Sequence, residues 1–245
     1  MKLDILAIGV HPDDVELSCS GTLIAEIKRG KKAGIVDLTQ GELGTRGTIE
    51  TRYAEAAEAA MIMGVSVREN LKMRDGFFAN DEAHQLLLIR AIRKYQPDIV
   101  FANALDDRHP DHGRAAKLTE DACFLAGLAQ IKTQDDEGKE QARWRPKCVF
   151  HYIQDRNHKP DFVMDITDIF EQRMKAIAAY GTQFHAGADN AAGPQTYIST
   201  PEFMESIIAR ARMTGKMIGV KYAEGFNTVK MLGVKNLDSI IALET

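Results

Sequence analysis

The chain has 245 residues, a formal net charge of −4 and a pI near 6.0. A chain of this length can bury a substantial hydrophobic core without disulfides or a structural metal to stabilise it. A protein with this net negative charge does not attract polyanions, so neither nucleic acid nor an anionic membrane is expected as a partner. The apolar run before His11 is too short for a signal peptide or a membrane span, which favours a cytoplasmic location. Cys19, Cys123 and Cys148 are widely spaced, which argues against a disulfide framework or a thiolate zinc site.

The first part of the chain alternates strand-like and helix-like segments. Residues 3–10 (LDILAIGV) form a continuous apolar run with β-branched side chains, which is typical of a buried strand. Apolar residues at helical spacing follow and stop at Gly30. The predicted elements up to Tyr95 are strands at 3–10, 33–39 and 70–75 and helices at 15–28, 51–63 and 82–95.

The second part begins with one more strand and helix and then becomes less regular. Residues 98–103 (DIVFAN) follow Pro97 and predict a fourth strand. Asp168 and Glu171 have the spacing of an aspartate-type capping box, for a helix that ends near Gly181. The other predicted elements are strands at 147–153 and 161–167 and helices at 113–128 and 201–217.

These elements predict an α/β fold with a Rossmann-like, mainly parallel sheet covered by helices on both faces, because the strands are apolar throughout. No repeat or linker divides the chain, so residues 1–245 are interpreted as a single domain. The polar, charge-mixed segment 132–146 is expected to be an exposed loop. The Gly-, Ala- and Asn-rich segment 182–200 suits either a lid or a passive surface connection.

The run HPDDVE at residues 11–16 ends the first apolar segment and opens a helix. His11 and Asp14 are one helical turn apart, close enough to hold one small cation. Asp13 lies between them and is left free to handle a proton. His-Pro and Asp-Asp are also ordinary residues of helix starts and turns, so this run alone does not decide between the two interpretations.

A second run, DDRHPDH at residues 106–112, repeats the pattern after the fourth predicted strand. It offers His109 and His112 at the same i, i+3 spacing. Two His-Pro-Asp runs, each at the end of a strand pattern, favour a metal site over turn chemistry.

Both runs fall where an open parallel sheet binds ligands, beyond the carboxyl ends of its strands. A dinucleotide site is excluded because the first strand leads into HPDD rather than GxGxxG, and two carboxylates would repel a pyrophosphate. The active site is therefore predicted at this edge of the sheet, from residues 11–14, 42–52, 75 and 106–112.

The two motifs and their positions resemble those of the zinc-dependent LmbE-like (PIG-L-type) N-acetylglucosaminyl deacetylases. Similarity to one branch, the N-acetylglucosaminyl-L-malate deacetylases of bacillithiol biosynthesis, runs through LDILAIGVHPDDVE, DLT with Glu42 and Leu43, DRHPDHG, PDFVMDI and YAEGF. It spans nearly the whole chain. The two histidine motifs are specific to the superfamily, whereas DRHPDHG and YAEGF are less decisive for the branch because related deacetylases share variants of them.

The resemblance implies one Zn²⁺ per chain, held by His11, Asp14 and His112 with a fourth position open to water. It implies that Asp13 is the general base that takes a proton from this water and returns it to the departing glucosamine nitrogen. It assigns His109 to stabilisation of the tetrahedral oxyanion, a role for which the imidazolium form is expected.

Four more residues are candidates by the same resemblance. Asp111 shares the loop of His109 and is expected to keep that ring charged and oriented. Arg52 matches a substrate-binding arginine, and its planar fork suits a malate carboxylate. Glu42 is a second substrate-binding candidate. Tyr197 is a candidate to offer a hydroxyl to the reacting carbonyl, as a late tyrosine does in relatives, although the spacing around it differs from theirs.

The predicted function is zinc-dependent hydrolysis of a linear amide, with N-acetylglucosaminyl-L-malate converted to glucosaminyl-malate and acetate. The alternatives are deacetylation of another GlcNAc-type amino sugar, a metal-dependent phosphoesterase with a two-metal site, and a catalytically silent metal-binding scaffold. Retention of Asp13 argues against the scaffold, because a structural zinc needs no free carboxylate beside its ligands. The resemblance also implies a homo-oligomer, which is a hexamer in many members of the family.

Overall fold

The computed structural model describes residues 1–184 and 194–236 around one central sheet. Its strands are β1 Ile5–Gly9, β2 Ala33–Thr39, β3 Val67–Met73, β4 Ile99–Ala102, β5 Cys148–Tyr152, β6 Phe162–Asp165 and β7 Ala223–Thr228. Their order is β3-β2-β1-β4-β5-β7-β6. The strands from β3 to β5 are parallel, and β7 is antiparallel to both of its neighbours. The predicted Rossmann-like, mainly parallel sheet is confirmed.

Helices cover both faces of this sheet. They are α1 Asp14–Ser18, α2 Ser20–Lys28, α3 Ile49–Met63, α4 Glu82–Tyr95, α5 Pro110–Leu125, α6 Phe170–Ala178 and α7 Pro201–Lys216, with 3₁₀ turns at Thr167–Ile169 and Tyr197–Ser199. Leu6 and Ile8 of β1 pack with α4 and α5, whereas Ile5 and Ala7 pack on the opposite face with the other helices. Because successive strand residues point to opposite faces and both faces are buried, the central strands β1 and β4 are apolar throughout, whereas β3 at the edge of the sheet carries four polar residues and is only partly buried.

Two predicted helices differ in the structure. The helix expected over 15–28 is broken at Cys19 into α1 and α2. The carboxylate of Glu224 accepts the N–H groups of Gly21 and Thr22 and so stabilises the start of the new helix, α2. The helix expected over 113–128 begins at Pro110, the favoured position for proline in a first turn.

The predicted capping box at Asp168 and Glu171 is wrong. A 3₁₀ turn occupies residues 167–169, and α6 begins after Ile169 without a side-chain cap. The local bond is instead from the N–H of Thr167 to Asp165 Oδ1, at 2.9 Å.

The long connections are only partly described. Residues 132–146 are mostly exposed, although Thr133 and Pro146 are buried and Trp144 donates to Pro97 O at 2.7 Å. Residues 185–193 lie outside the described residues, so the lid interpretation of 182–200 stays a prediction. Within the described ranges no helix is long and apolar enough to cross a membrane.

Candidate metal centre and active-site cleft

A cavity of about 250 Å³ opens at the carboxyl edge of the sheet. It lies where β1 and β4 are neighbours and the crossover direction reverses, the usual ligand site of such sheets. Its walls include His11 after β1, Gly41 after β2, Asp75 after β3 and Asp107 after β4. Segments that are distant in the sequence therefore meet in one cleft.

His11, Asp14 and His112 meet in this cleft as the sequence predicted. Each offers a ligand atom, and these atoms lie within 4.8 Å of one another. Asp14 lies between the two rings, with Oδ1 at 3.2 Å from His112 Nε2 and Oδ2 at 3.9 Å from His11 Nδ1. Two imidazoles and a carboxylate are the donor set of a catalytic zinc site, so these residues fit that metal.

The Asp14 carboxylate is fixed by hydrogen bonds from four groups. Oδ2 accepts the backbone N–H groups of Val10 (2.9 Å) and His11 (3.1 Å) and the Asn103 amide (3.0 Å). Oδ1 accepts Gln154 Nε2 at 3.1 Å. The ligand is thus oriented before any ion binds, which favours metal binding.

His112 is oriented by a second carboxylate. Its Nδ1–H donates to Asp107 Oδ2 at 2.5 Å, while Asp107 Oδ1 accepts the backbone N–H groups of Asp155 and Arg156. Burial disfavours a charged ring, yet Asp14 and Asp107 raise the pKa of His112 to about 10. In the metal-free protein this ring is therefore an imidazolium with a proton on each nitrogen, and a metal would displace one of the two protons.

Asp13 is buried beside the three candidate metal ligands and belongs to neither of the possible metal-binding groups found among the described residues. It has φ 138° and ψ −23°, a strained conformation for a residue with a side chain. Burial raises the pKa of Asp13 to about 7, with the Arg52 charge opposing the shift and the Asp14 charge adding to it. A carboxylate with a pKa near neutral pH is suited to accept and return a proton.

Arg52 is held on Asp13 by protein groups. Its Nη1 lies 3.3 Å from Asp13 Oδ2 and donates to Pro12 O at 3.2 Å, and its Nη2 donates to Gln183 Oε1 at 2.5 Å. A Cβ on Gly44 would lie 2.8 Å from Nη2, so glycine lets this loop approach the guanidinium. These contacts occupy both Nη atoms and favour a positioning role. Arg52 also lines the cavity and its Nε has no hydrogen-bond partner among the described residues, so the predicted contact with a malate carboxylate stays a prediction.

The expected contact between Asp111 and the His109 ring is wrong. The Asp111 carboxylate accepts from Gly76 N (2.8 Å) and from Arg114 Nη1 (2.6 Å). His109 Nδ1 instead accepts the backbone N–H of Asp111 at 3.3 Å. Burial, followed by the charges of His11 and His112, lowers the pKa of His109, so the structure favours a neutral ring with its proton on Nε2 rather than the predicted imidazolium.

Glu42 and Tyr197 form hydrogen bonds to residues that line the cleft. Glu42 Oε1 accepts Asp75 N at 2.8 Å, and Asp75 Oδ1 is 2.9 Å from His11 Nε2. Tyr197 is 55% exposed and donates to Asp155 Oδ1 at 3.0 Å. Neither residue lines the cavity, and their substrate contacts stay predictions.

Sequence reasoning missed several residues of this cleft. Asp107 was visible within DDRHPDH, Asn103 is the last residue of one predicted strand and Gln154 follows another, so the rule that ligands bind at strand ends would have found all three. Arg210 lies on a helix late in the chain, and no local pattern marks it. Only the packing of α7 brings it to the cavity.

Residues 6–123 match the family model described as PIG-L, GlcNAc-PI de-N-acetylase. Diacetylchitobiose deacetylase of Thermococcus kodakarensis is 27% identical over 235 residues, which cover 92% of this chain and 82% of that protein. A 4-oxalmesaconate hydratase of Pseudomonas putida is 25% identical over 74% of each chain. The solved structure of a conserved protein from Thermus thermophilus is 37% identical with a TM-score of 0.83, over 95% of this chain and 98% of that one.

Proposed function

Because the chain belongs to the PIG-L family of de-N-acetylases, we propose that it hydrolyses the acetamide of an N-acetylglucosamine-type sugar with a bound zinc ion. One observation carries the proposal: His11, Asp14 and His112 converge in the cleft while the Asp13 carboxylate beside them is unused as a ligand. A purely structural metal site would not need this second carboxylate.

The three converging residues would hold the metal. When bound, zinc supplies Lewis acidity, which acidifies water toward neutral pH and polarises the acetyl oxygen. The hydrogen bonds on Asp14 and the bond from His112 to Asp107 keep both ligands in place.

Asp13 is proposed as the general base. Its carboxylate takes a proton from the attacking water and delivers it to the sugar nitrogen as the C–N bond breaks, because an amine is a poor leaving group unless protonated. Arg52 holds this carboxylate through Nη1 and opposes its protonation. Gln183 in turn fixes the Arg52 guanidinium.

His109 is proposed as the donor to the developing oxyanion. Its Nδ1 accepts a backbone N–H, so the neutral ring carries its proton on Nε2. A neutral donor can stabilise the tetrahedral intermediate without first taking up a proton.

N-acetylglucosaminyl-L-malate is the substrate that we propose first. The similarity through DRHPDHG, PDFVMDI and YAEGF supports this branch. The diacetylchitobiose deacetylase of Thermococcus kodakarensis supports the coarser class of N-acetylglucosamine conjugates.

The test is amine and acetate release by the zinc-loaded protein from N-acetylglucosaminyl-malate, N-acetylglucosamine and diacetylchitobiose. Release from at least one sugar, with about one zinc per chain, is the expected result. Release from none would contradict the proposal.

Metal content also addresses the phosphoesterase alternative. A second group of possible ligands, His11, His109 and Asp111, shares His11 with the first group. Its carboxylate is already paired with Arg114, which favours one metal. Two ions per chain about 3.5–4 Å apart would favour phosphoryl chemistry instead.

A further inference from the structure

Arg210 places an unpaired positive charge in the wall of the cleft. It lies on α7 and lines the same cavity as His11 and His112. Its Nη2 donates to Leu17 O at a long 3.4 Å. Among residues 1–184 and 194–236, no carboxylate oxygen lies within 4.0 Å of its guanidinium nitrogens.

Three carboxylates, those of Asp155, Asp107 and Glu224, act on Arg210 through their charge, but each already has another partner. Asp155 pairs with Arg108 at 3.2 Å, and Glu224 pairs with Arg173 at 2.9 Å. Asp107 is bonded to His112. Burial, and next the charge of Arg173, lower the pKa of Arg210 to about 10, yet the group still carries its charge at neutral pH.

A second polar group of this wall also lacks a partner. Ser18, the last residue of α1, is 4% exposed and lines the cavity. Its hydroxyl makes no hydrogen bond to any described residue. A buried hydroxyl without a partner is costly unless a ligand or water satisfies it.

We propose that Arg210 and Ser18 form a subsite for an anionic group, a carboxylate or a phosphate, on the aglycone of the sugar. The inference rests on the proposed function, since it places the acetamide at His11, Asp14 and His112 in the same cleft. It narrows the substrate class to acidic conjugates of N-acetylglucosamine. A guanidinium fork matches both oxyanions, and the hydroxyl adds a further donor.

The alternative position for such an anion was Arg52, but both of its Nη atoms are occupied. They contact Pro12, Asp13 and Gln183, and only Nε lacks a partner, whereas Nε and Nη1 of Arg210 have no hydrogen-bond partner in the described part of the chain. A neutral aglycone such as a second sugar would leave the Arg210 charge uncompensated. This cost predicts a preference for acidic over neutral conjugates.

The test measures binding and turnover separately. Calorimetry of wild-type protein, Arg210→Gln and the control Arg212→Gln would use three probes: N-acetylglucosaminyl-malate, N-acetylglucosamine 1-phosphate and neutral methyl N-acetylglucosaminide. Arg212 lies on the same helix, is exposed and does not line the cavity, so it matches the charge change. Arg210→Lys and Ser18→Ala complete the set, and circular dichroism checks folding.

In Arg210→Gln, the affinity ratio of acidic to neutral probe should fall about 10–100-fold, the usual effect of a charged hydrogen bond. The ratio should not change in Arg212→Gln. If Arg210→Gln does not fold, a fall in the ratio in Arg210→Lys and Ser18→Ala supports the subsite. A fall for one acidic probe alone identifies the anion as carboxylate or phosphate.

An unchanged ratio in the folded Arg210 variants would overturn the subsite. Amine release is measured on the same samples. Deacetylation without an effect of Arg210 on the ratio refutes the subsite and leaves the proposed function standing. Selective binding of acidic probes without deacetylation by the zinc-loaded protein refutes the proposed function and retains the anion site.

Discussion

Asp107→Asn should weaken zinc binding although Asp107 is not a ligand. The carboxylate uses both oxygens: Oδ2 accepts from the His112 ring at 2.5 Å, and Oδ1 accepts two backbone N–H groups, from Asp155 and Arg156. Asparagine supplies one oxygen and one NH₂ group. Whichever way its amide turns, either the ring or the two N–H groups meet a donor instead of an acceptor.

The expected loss of zinc affinity is about 10–100-fold, which corresponds to roughly 1.4–2.7 kcal/mol. Competition with a chromogenic chelator near neutral pH measures it directly. Asp106→Asn is the matched control, because the neighbouring Asp106 is exposed and pairs with the exposed Arg156 side chain at the surface. Asp107→Asn with a zinc affinity equal to that of Asp106→Asn would refute the orienting role.

Asp13→Asn should keep zinc and lose about 10²–10⁴-fold in turnover, and a zinc-replete variant with normal activity would remove the base assignment. Arg52→Lys should lower kcat for acidic and neutral sugars alike, because Arg52 contacts Asp13; a loss confined to acidic sugars would restore its malate role. Arg68→Met should lower the free energy of unfolding by roughly 3–5 kcal/mol in urea titrations, because it leaves buried Asp37 without its ion-pair partner, whereas exposed Arg29→Met should have little effect. Burial already raises the pKa of Asp37 against the effect of Arg68, so the folded variant binds a proton more tightly than the unfolded chain, and its deficit should shrink as pH falls toward about 4 and grow as pH rises. A deficit that does not change with pH would mean that lost packing, not the unpaired charge, causes it.

The sequence alone determined the sheet and the place of the site. Continuous apolar strands, separated by helices, require a sheet buried on both faces, and β1, β2 and α4 lie close to their predicted positions. The spacing of His11 to Asp14 is local, although a turn closed by the bond from Asp14 N to His11 O at 3.2 Å sets it, not the predicted helical turn, because α1 begins only at Asp14. The meeting of the two histidine runs followed from the rule that parallel strands end at the same edge.

Tertiary structure decided which polar groups are paired. Asp111 is two residues from His109, yet its carboxylate contacts Arg114, one turn along the same helix, and Gly76, which follows β3 and lies beside α5. Arg52 was predicted to bind substrate, but its Nη2 donates to Gln183, which is 131 residues later in the chain. Whether a charged side chain is available to a ligand depends on partners across the fold, and long-range packing places those partners where no local pattern records them.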